Sequence, residues 1–364
     1  MEASLVSKDE LQINSYKGGY SVTFFSDGIE ALKKNLPKRN FHIIIDKRVA
    51  SLYSSKINFL LDWSSVLKIE AKEENKSLEC MPDYVEHLVN NQIRRGDILI
   101  AIGGGIIQDI TCFLAATILR GIEWQFYPTT LLSQADSCIG SKSSINSGKV
   151  KNILGTFTPP KKVFIGSSFL DTLIRSDVQS GIGEMLKVHA ISSPEDFNLI
   201  AKDYKNLFDD KRIMLHYIRR SLEIKKEFIE VDEFDLGIRN IFNYGHSFGH
   251  AIESATQFAI PHGIAVSIGI DMANWISPQI SDGDINNYFR MHSVIAKNFQ
   301  EFNNIDIPID AFINALSKDK KNIAKDEVAL ILPDKDAKIM KGFYKNDNSF
   351  YIACEEYLNE IRLS

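Results

Sequence analysis

The sequence predicts an α/β domain followed by an all-α domain. Three observations carry this. Short segments rich in Val, Ile and Phe alternate with helical patterns in the first half. The strand signal fades after about residue 178. The chain is 364 residues long, which favours two domains over one. The boundary is placed so that residues 1–177 form the α/β domain and 178–364 the helical one.

The strands come in order as YSVTFF (20–25), HIIID (42–46), SVLKIEA (65–71), DILIAIGGG (97–105), WQFYPTT (124–130) and KKVFIG (161–166). Several are nearly continuous apolar runs, as expected where a parallel sheet is covered on both faces. Helical spacing fills Pro82–Arg95 and Ile106–Arg120 between them, and alternation of this kind argues for a doubly wound sheet. In the second half, Pro194–Phe208, Lys211–Glu230, Ile238–Thr256 and Ile264–Trp275 carry apolar residues at helical spacing.

The composition is that of a folded globular protein, with 44% hydrophobic and 24% charged residues. A net charge of -5 argues against nucleic acid as a partner, although it says little about any one pocket. Cys80, Cys112, Cys138 and Cys354 are widely spaced and form no CxxC pair, which reads as reduced thiols. The start lacks a basic segment leading into an apolar one, and no apolar run reaches the length of a membrane span. A cytoplasmic protein with no membrane partner is therefore expected.

Three features could carry chemistry. Gly103, Gly104 and Gly105 stand between a strand and a helix, where glycine permits a tight turn and the helix start offers N–H groups to phosphate. The sixth position of the dinucleotide fingerprint is Gln108 rather than Gly, so the motif alone fits a plain tight turn as well. His246 and His250 stand four apart in FNYGHSFGHAIES, which stacks two imidazoles on one helical face. They could share a metal, or be two ordinary buried or capping histidines; His262 and Glu184 are the candidates for a further ligand. Finally, Lys142, Lys149, Lys151, Lys161 and Lys162 occupy a stretch, Ser137 to Leu170, without one acidic residue. Interleaved with Ser, Gly and Asn in GSKSSINSGKVKN, these lysines suit either phosphate or carboxylate recognition, or a solvated basic loop.

The stretches EENKS, GGGIIQD, AATILRG, YPTTLLSQADSCIGSK, KNILGTF, SGIGEMLK, RNIFNYGHSFGHAIE and PHGIAV follow one another between about Asp46 and Lys321. Together they resemble the 3-dehydroquinate synthase family of sugar-phosphate cyclases. The resemblance implies an N-terminal α/β nucleotide-binding domain and a C-terminal helical domain. It also implies NAD, one zinc (or cobalt), a small anionic sugar-phosphate substrate and a homodimer. Metal ligands would be Glu184, His246 and His262, with His250 a hydrogen-bonding neighbour. NAD would meet Asp46, Glu73, Lys76, Gly104, Gly105, Asp109, Thr129, Thr130 and Thr172. Substrate would meet Asp136, Lys142, Lys151, Asn152, Lys187, Lys225, Arg239, Asn243, His250 and one of Lys320 and Lys321. Arg120 would reach the partner subunit's phosphate site.

The implied reaction turns 3-deoxy-D-arabino-heptulosonate 7-phosphate into 3-dehydroquinate and phosphate, through transient oxidation, phosphate elimination, re-reduction and aldol closure. Gln108 and Ser141 stand where the family has glycine, and Arg48 where Asn is usual. These departures surround the nucleotide and phosphate loops. A sister cyclase using an amino-substituted sugar phosphate or sedoheptulose 7-phosphate is the main alternative, and a metal-dependent polyol dehydrogenase the second.

Overall fold

The structure, a computed structural model, describes residues 10–148, 150–318, 322 and 326–364. It divides into two compact units. The first comprises the described residues of Met1–Leu173 together with Lys226–Phe234; the second comprises those of Ile174–Lys225 and Asp235–Ser364.

In the first unit the strands are β1 (Glu10–Ile13), β2 (Tyr20–Phe25), β3 (Phe41–Asp46), β4 (Val66–Ile69), β5 (Ile98–Gly103), β6 (Glu123–Pro128), β7 (Lys142–Ser147), β8 (Val150–Phe157) and β9 (Lys162–Gly166). Seven of them form one sheet in the order β1-β2-β9-β6-β5-β3-β4. Only the β1–β2 pair is antiparallel; the other pairings are parallel. Every residue of β5 is buried, as are His42 to Ile45 of β3. This is why those segments read as unbroken apolar runs instead of alternating. From β3 the chain winds one way to β4 and the other way to β5, β6 and β9. The carboxyl ends of β3 and β5 thus flank the point where strand order reverses, the usual ligand crevice of such sheets. Asp46 and the Gly103–Gly105 turn sit at those two ends.

The strands β7 and β8 make a separate antiparallel ribbon, which the sequence did not announce. Its apolar content is low, and β8 is largely exposed. Period-2 patterning needs one buried face to be visible.

The second unit is helical. Its long elements are Arg175–Ser192, the first part of Lys211–Val231, His262–Ile280 and Ile285–Phe299. The helix His262–Ile280 is buried without a break from Gly263 to Asn274, so it forms the centre of this unit. Two features differ from the sequence reading. A hairpin of β10 (Glu327–Pro333) and β11 (Ile339–Lys345) adds strands to a domain expected to be all-α. Ile238–Thr256 is not one helix: a 3-10 turn, Ile238–Asn243, is separated from the helix His246–Ala255 by Tyr244 and Gly245. Gly245 has φ +75°, a left-handed conformation that glycine adopts freely, and it breaks the periodicity at the first imidazole.

Candidate active site

In the first unit, four of the expected side chains meet in one polar cluster. Lys76 is buried, and its Nζ lies 3.0 Å from Asp109 Oδ2, 2.9 Å from Asn152 Oδ1 and 3.4 Å from Glu73 Oε1. Burial raises the Asp109 carboxyl above its ordinary value, and the Lys76 ammonium acts against that rise. Asn146, which the sequence reading passed over, ties the same cluster together. Its amide donates to Glu73 Oε1 at 2.9 Å, and its carbonyl oxygen accepts the Asn152 N–H at 2.9 Å. Asn152 is held in a left-handed backbone, φ +53°, by this contact and by the Ser144 hydroxyl, which donates to its side-chain oxygen.

Next to this cluster lies the glycine turn. Gly104 caps the helix Gly105–Thr117 and sits so close to Thr130 that a methyl group on its Cα would meet Thr130 Cγ2 at 2.9 Å. Thr129 donates its N–H to Gly103 at 2.9 Å, so the ends of β5 and β6 are locked side by side. Asp46 closes β3 and accepts the Arg48 N–H at 2.9 Å; burial raises its pKa, against the pull of Arg48. Thr172 lies 3.2 Å from the hydroxyl of Tyr53, the residue that ends the helix opening after Asp46.

Gln108 resolves an irregularity of the motif. Its amide donates to the Ser137 carbonyl and its oxygen accepts from the Ser137 hydroxyl, each at 2.6 Å. Ser137 ends the π-turn Ser133–Ser137 that carries Asp136. Two successive residues near the start of one helix therefore hold two arms at once: Gln108 holds the Asp136 turn, and Asp109 holds Lys76. Lys142 and Lys151 lie exposed on the β7–β8 ribbon. Lys149, Lys320 and Lys321 lie outside the described residues.

In the second unit, Glu184, His246 and His262 converge, with ligand atoms all within 4.8 Å of one another. Glu184 Oε1 stands 3.6 Å from His246 Nε2 and 3.4 Å from His262 Nε2. Two ligand atoms on a tetrahedral zinc with bonds of about 2.0–2.2 Å stand about 3.4 Å apart, so the edges fit such an ion. Glu184 Oε1 is buried and accepts no hydrogen bond of acceptable geometry, which makes it the orphan acceptor a cation would satisfy. Its other oxygen receives the Lys187 ammonium at 2.5 Å. Burial would raise the Glu184 carboxyl, but Lys187 and His262 outweigh it and hold it well below the usual carboxylate range. Burial would lower His262, yet the Glu184 and Glu253 carboxylates outweigh it and push it up to about 10.

The ligand spacing follows from helix packing. Glycines adjoin two of the ligands where the helices Arg175–Ser192 and His262–Ile280 cross. A methyl group on Gly183 would stand 2.2 Å from the Gly263 carbonyl oxygen, and one on Gly263 would stand 1.9 Å from that of Ser180. Backbones can touch there only because both positions lack a side chain.

His250 packs beside the triad, its ring centroid 5.5 Å from that of His246 and 5.7 Å from that of His262. The HxxxH spacing did bring two imidazoles together, and each groups with His262 and a carboxylate, His246 with Glu184 and His250 with Glu253. Phe242 lies under the Lys187 ammonium, 5.9 Å away, which seats the 3-10 turn bearing Arg239 and Asn243 against the Glu184 helix. Lys225 and Arg239 are buried to 7% exposure each, an unusual state for cations. Glu253 and Tyr244, which the sequence reading gave no role, hold the second nitrogens of the two imidazoles. The signal for Glu253 was its register in HSFGHAIE, one helical face with both histidines.

Comparison with known proteins places the chain in a family. The family models for the N-terminal and C-terminal parts of 3-dehydroquinate synthase match residues 66–180 and 181–322. A 3-dehydroquinate synthase of Clostridium tetani is 36% identical over 332 residues, spanning 88% of this chain and 85% of the relative. Among solved structures, 2-deoxy-scyllo-inosose synthase complexed with carbaglucose-6-phosphate, NAD+ and Co2+ shares the fold at a TM-score of 0.80 and 20% identity, over 96% of this chain and 99% of that one. The 2-epi-5-epi-valiolone synthase of Streptomyces hygroscopicus subsp. jinggangensis, with NAD+ and Zn2+ bound, gives 0.79 and 24%, over 94% and 97%. No helix among the described residues is long and apolar enough to cross a membrane. The chain belongs to the 3-dehydroquinate synthase family.

Proposed function

We propose that this protein is a 3-dehydroquinate synthase, a carbon–oxygen lyase that converts 3-deoxy-D-arabino-heptulosonate 7-phosphate into 3-dehydroquinate and phosphate. The observation that carries the reading is the approach of His246 Nε2 and His262 Nε2 to 3.6 and 3.4 Å of the orphaned Glu184 oxygen, edges of the length that two ligands of one tetrahedral ion have. Those three residues would hold zinc or cobalt. Asp46, Glu73, Lys76, Gly104, Gly105, Asp109, Thr129, Thr130 and Thr172 would hold NAD. When bound, NAD supplies a reversible hydride acceptor and the divalent ion a Lewis acid for a substrate hydroxyl.

The chain's own residues bind and orient an anion. Lys187 is fixed by Glu184 and needs no rearrangement to present its ammonium. Lys225 and Arg239 are already desolvated, so their charges act at low dielectric on the substrate's carboxylate or phosphate. Asn243, His250, Asp136 and Asn152 would supply hydrogen bonds, while Lys142 and Lys151 would supply charge from the exposed ribbon. During elimination a phosphate oxygen takes the neighbouring carbon-bound proton, the C–H electron pair becomes a C=C bond, and the C–O bond breaks with its pair leaving on the phosphate oxygen. The enzyme's part is to keep that phosphate in place.

A homodimer in the cytoplasm completes the reading. Arg120 follows the end of the helix Gly105–Thr117, about 20 Å along the helix axis from the glycine turn at its start. It is exposed and held in a left-handed turn with Leu119 at φ +69° and +52°. An arginine so far from its own phosphate loop suits a second subunit's site. The Gln108–Ser137 lock, absent where the family has glycine, favours one alternative: a sister cyclase whose sugar phosphate differs near Asp136. Purified protein with NAD and zinc is offered the heptulosonate phosphate and sedoheptulose 7-phosphate in parallel. Phosphate release from the first alone supports the synthase, and release from the second alone assigns a sister cyclase.

A further inference from the structure

We propose that Glu253 is a positioning residue of the metal centre. Its carboxylate accepts the Nδ1–H of His262 and thereby presents the lone pair of Nε2 to the cation. The inference rests on the metal-centre reading given above.

The imidazole of His262 lies between two carboxylates. Glu253 Oε2 is 3.0 Å from Nδ1, and Glu184 Oε1 is 3.4 Å from Nε2. With a cation at Nε2 the imidazole carries its one proton on Nδ1, and the Glu253 carboxylate is placed to accept it there. His246 is served in the same sense but more weakly: its Nδ1 lies 3.3 Å from the Tyr244 carbonyl. A carboxylate is the stronger acceptor, because a charge-assisted hydrogen bond is stronger than a neutral one.

The backbone is built to hold this contact. Glu253 lies in the last turn of the helix His246–Ala255, and His262 opens the next helix. The reversal between them passes through Gln257 and Phe258, both left-handed at φ +52° and +64°. Two successive non-glycine residues in that region persist only where other contacts over-determine them. The Phe258 N–H donates to the Glu253 carbonyl at 2.7 Å, and Thr256 donates both its N–H and its hydroxyl to Ile252. Glu253 therefore fixes the turn with its main chain and the ligand with its side chain.

Glu253, His250 and His262 also lie close enough to hold an ion of their own. The test separates the two roles. Wild type, Glu253→Gln and Glu253→Ala are stripped with chelator, and zinc stoichiometry and affinity are read by competition with a chromophoric chelator. Melting of each metal-free protein is recorded beside them. The proposal expects one zinc per wild-type chain. It expects affinity about 10–100-fold weaker in Glu253→Ala, the usual effect of removing such a partner. Glu253→Gln falls between them, because its amide oxygen still accepts the Nδ1–H without the charge. Metal-free melting is unchanged in Glu253→Gln. Wild-type affinity in both variants overturns the proposal. So does a wild type that binds two zinc ions and loses one on substitution, since Glu253 is then a ligand. A wild type that binds no zinc overturns the metal-centre reading itself, and the two failures are thus told apart.

Discussion

Replacing Gly183 by alanine adds one methyl group beside a proposed metal ligand, and it should weaken the metal centre. The new Cβ would stand 2.2 Å from the Gly263 carbonyl oxygen and 2.5 Å from Ser267 Oγ. The nearer atom is backbone and cannot rotate away. Ordinary contact begins near 3.4 Å, so the two helices must part by about 1 Å, an overpacking that costs about 1–3 kcal/mol. Glu184 and His262 are the immediate neighbours of the two glycines. Their present separation of 3.4 Å would grow by a comparable amount. Metal–ligand distances tolerate only about 0.2 Å of error, so the ion would lose a full-strength ligand. Zinc affinity should fall at least about tenfold, which is about 1.4 kcal/mol. Melting of the metal-free protein should drop by about 2–10 °C. Chelator competition and thermal melts on the same samples read both numbers. A Gly183→Ala protein that melts early but binds zinc as wild type does would show that the helix crossing does not set the ligand spacing.

Other consequences can be checked separately. Gln108→Ala leaves the Ser137 carbonyl and hydroxyl without their 2.6 Å partners, a loss of about 1–3 kcal/mol; kcat/KM for the sugar phosphate should fall by about tenfold or more, and an unchanged value would detach Gln108 from Asp136. His189 is fully buried, donates its Nδ1–H to the Met185 carbonyl at 2.7 Å and is held neutral, its pKa lowered by burial to about 4. Its ordinary value is 6.5, so the unfolded chain binds the proton first, and stability present above that pH is lost as pH falls toward 4. Urea melts at pH 7 and 4.5 should show wild type losing about 2–3 kcal/mol more than His189→Asn; equal losses would place the acid sensitivity elsewhere. Mixing Arg120→Ala with Glu184→Gln, both inactive alone, should restore up to about a quarter of wild-type activity after subunit exchange, because each mixed dimer rebuilds one whole site. No recovery would mean that Arg120 does not act across subunits.

The central strands were legible because they are buried on both faces: HIIID and ILIAIG could hardly be anything else. Glu184 was not legible in the same way. Its helix is buried almost all round, so apolar periodicity could not single it out; the residues alone made it one of two candidates for a further ligand, and the resemblance implied the full ligand set. The register of HSFGHAIE pointed to a shared face but not to which imidazoles share an ion, since that depends on the Gly245 break and on the return of the chain at His262. The β7–β8 ribbon was silent because its faces are mostly polar or exposed. The Gln108–Ser137 lock joins positions 29 residues apart, a pairing that no local pattern encodes.

The most direct test of the account follows NAD and phosphate in one reaction. The zinc-loaded protein is given heptulosonate phosphate in large excess over NAD, with absorbance recorded at the NADH band while phosphate is assayed. The account predicts many phosphates released per NAD with no build-up of NADH, because each oxidation is reversed within the turnover. NADH rising in step with substrate consumed would contradict it and assign a dehydrogenase instead.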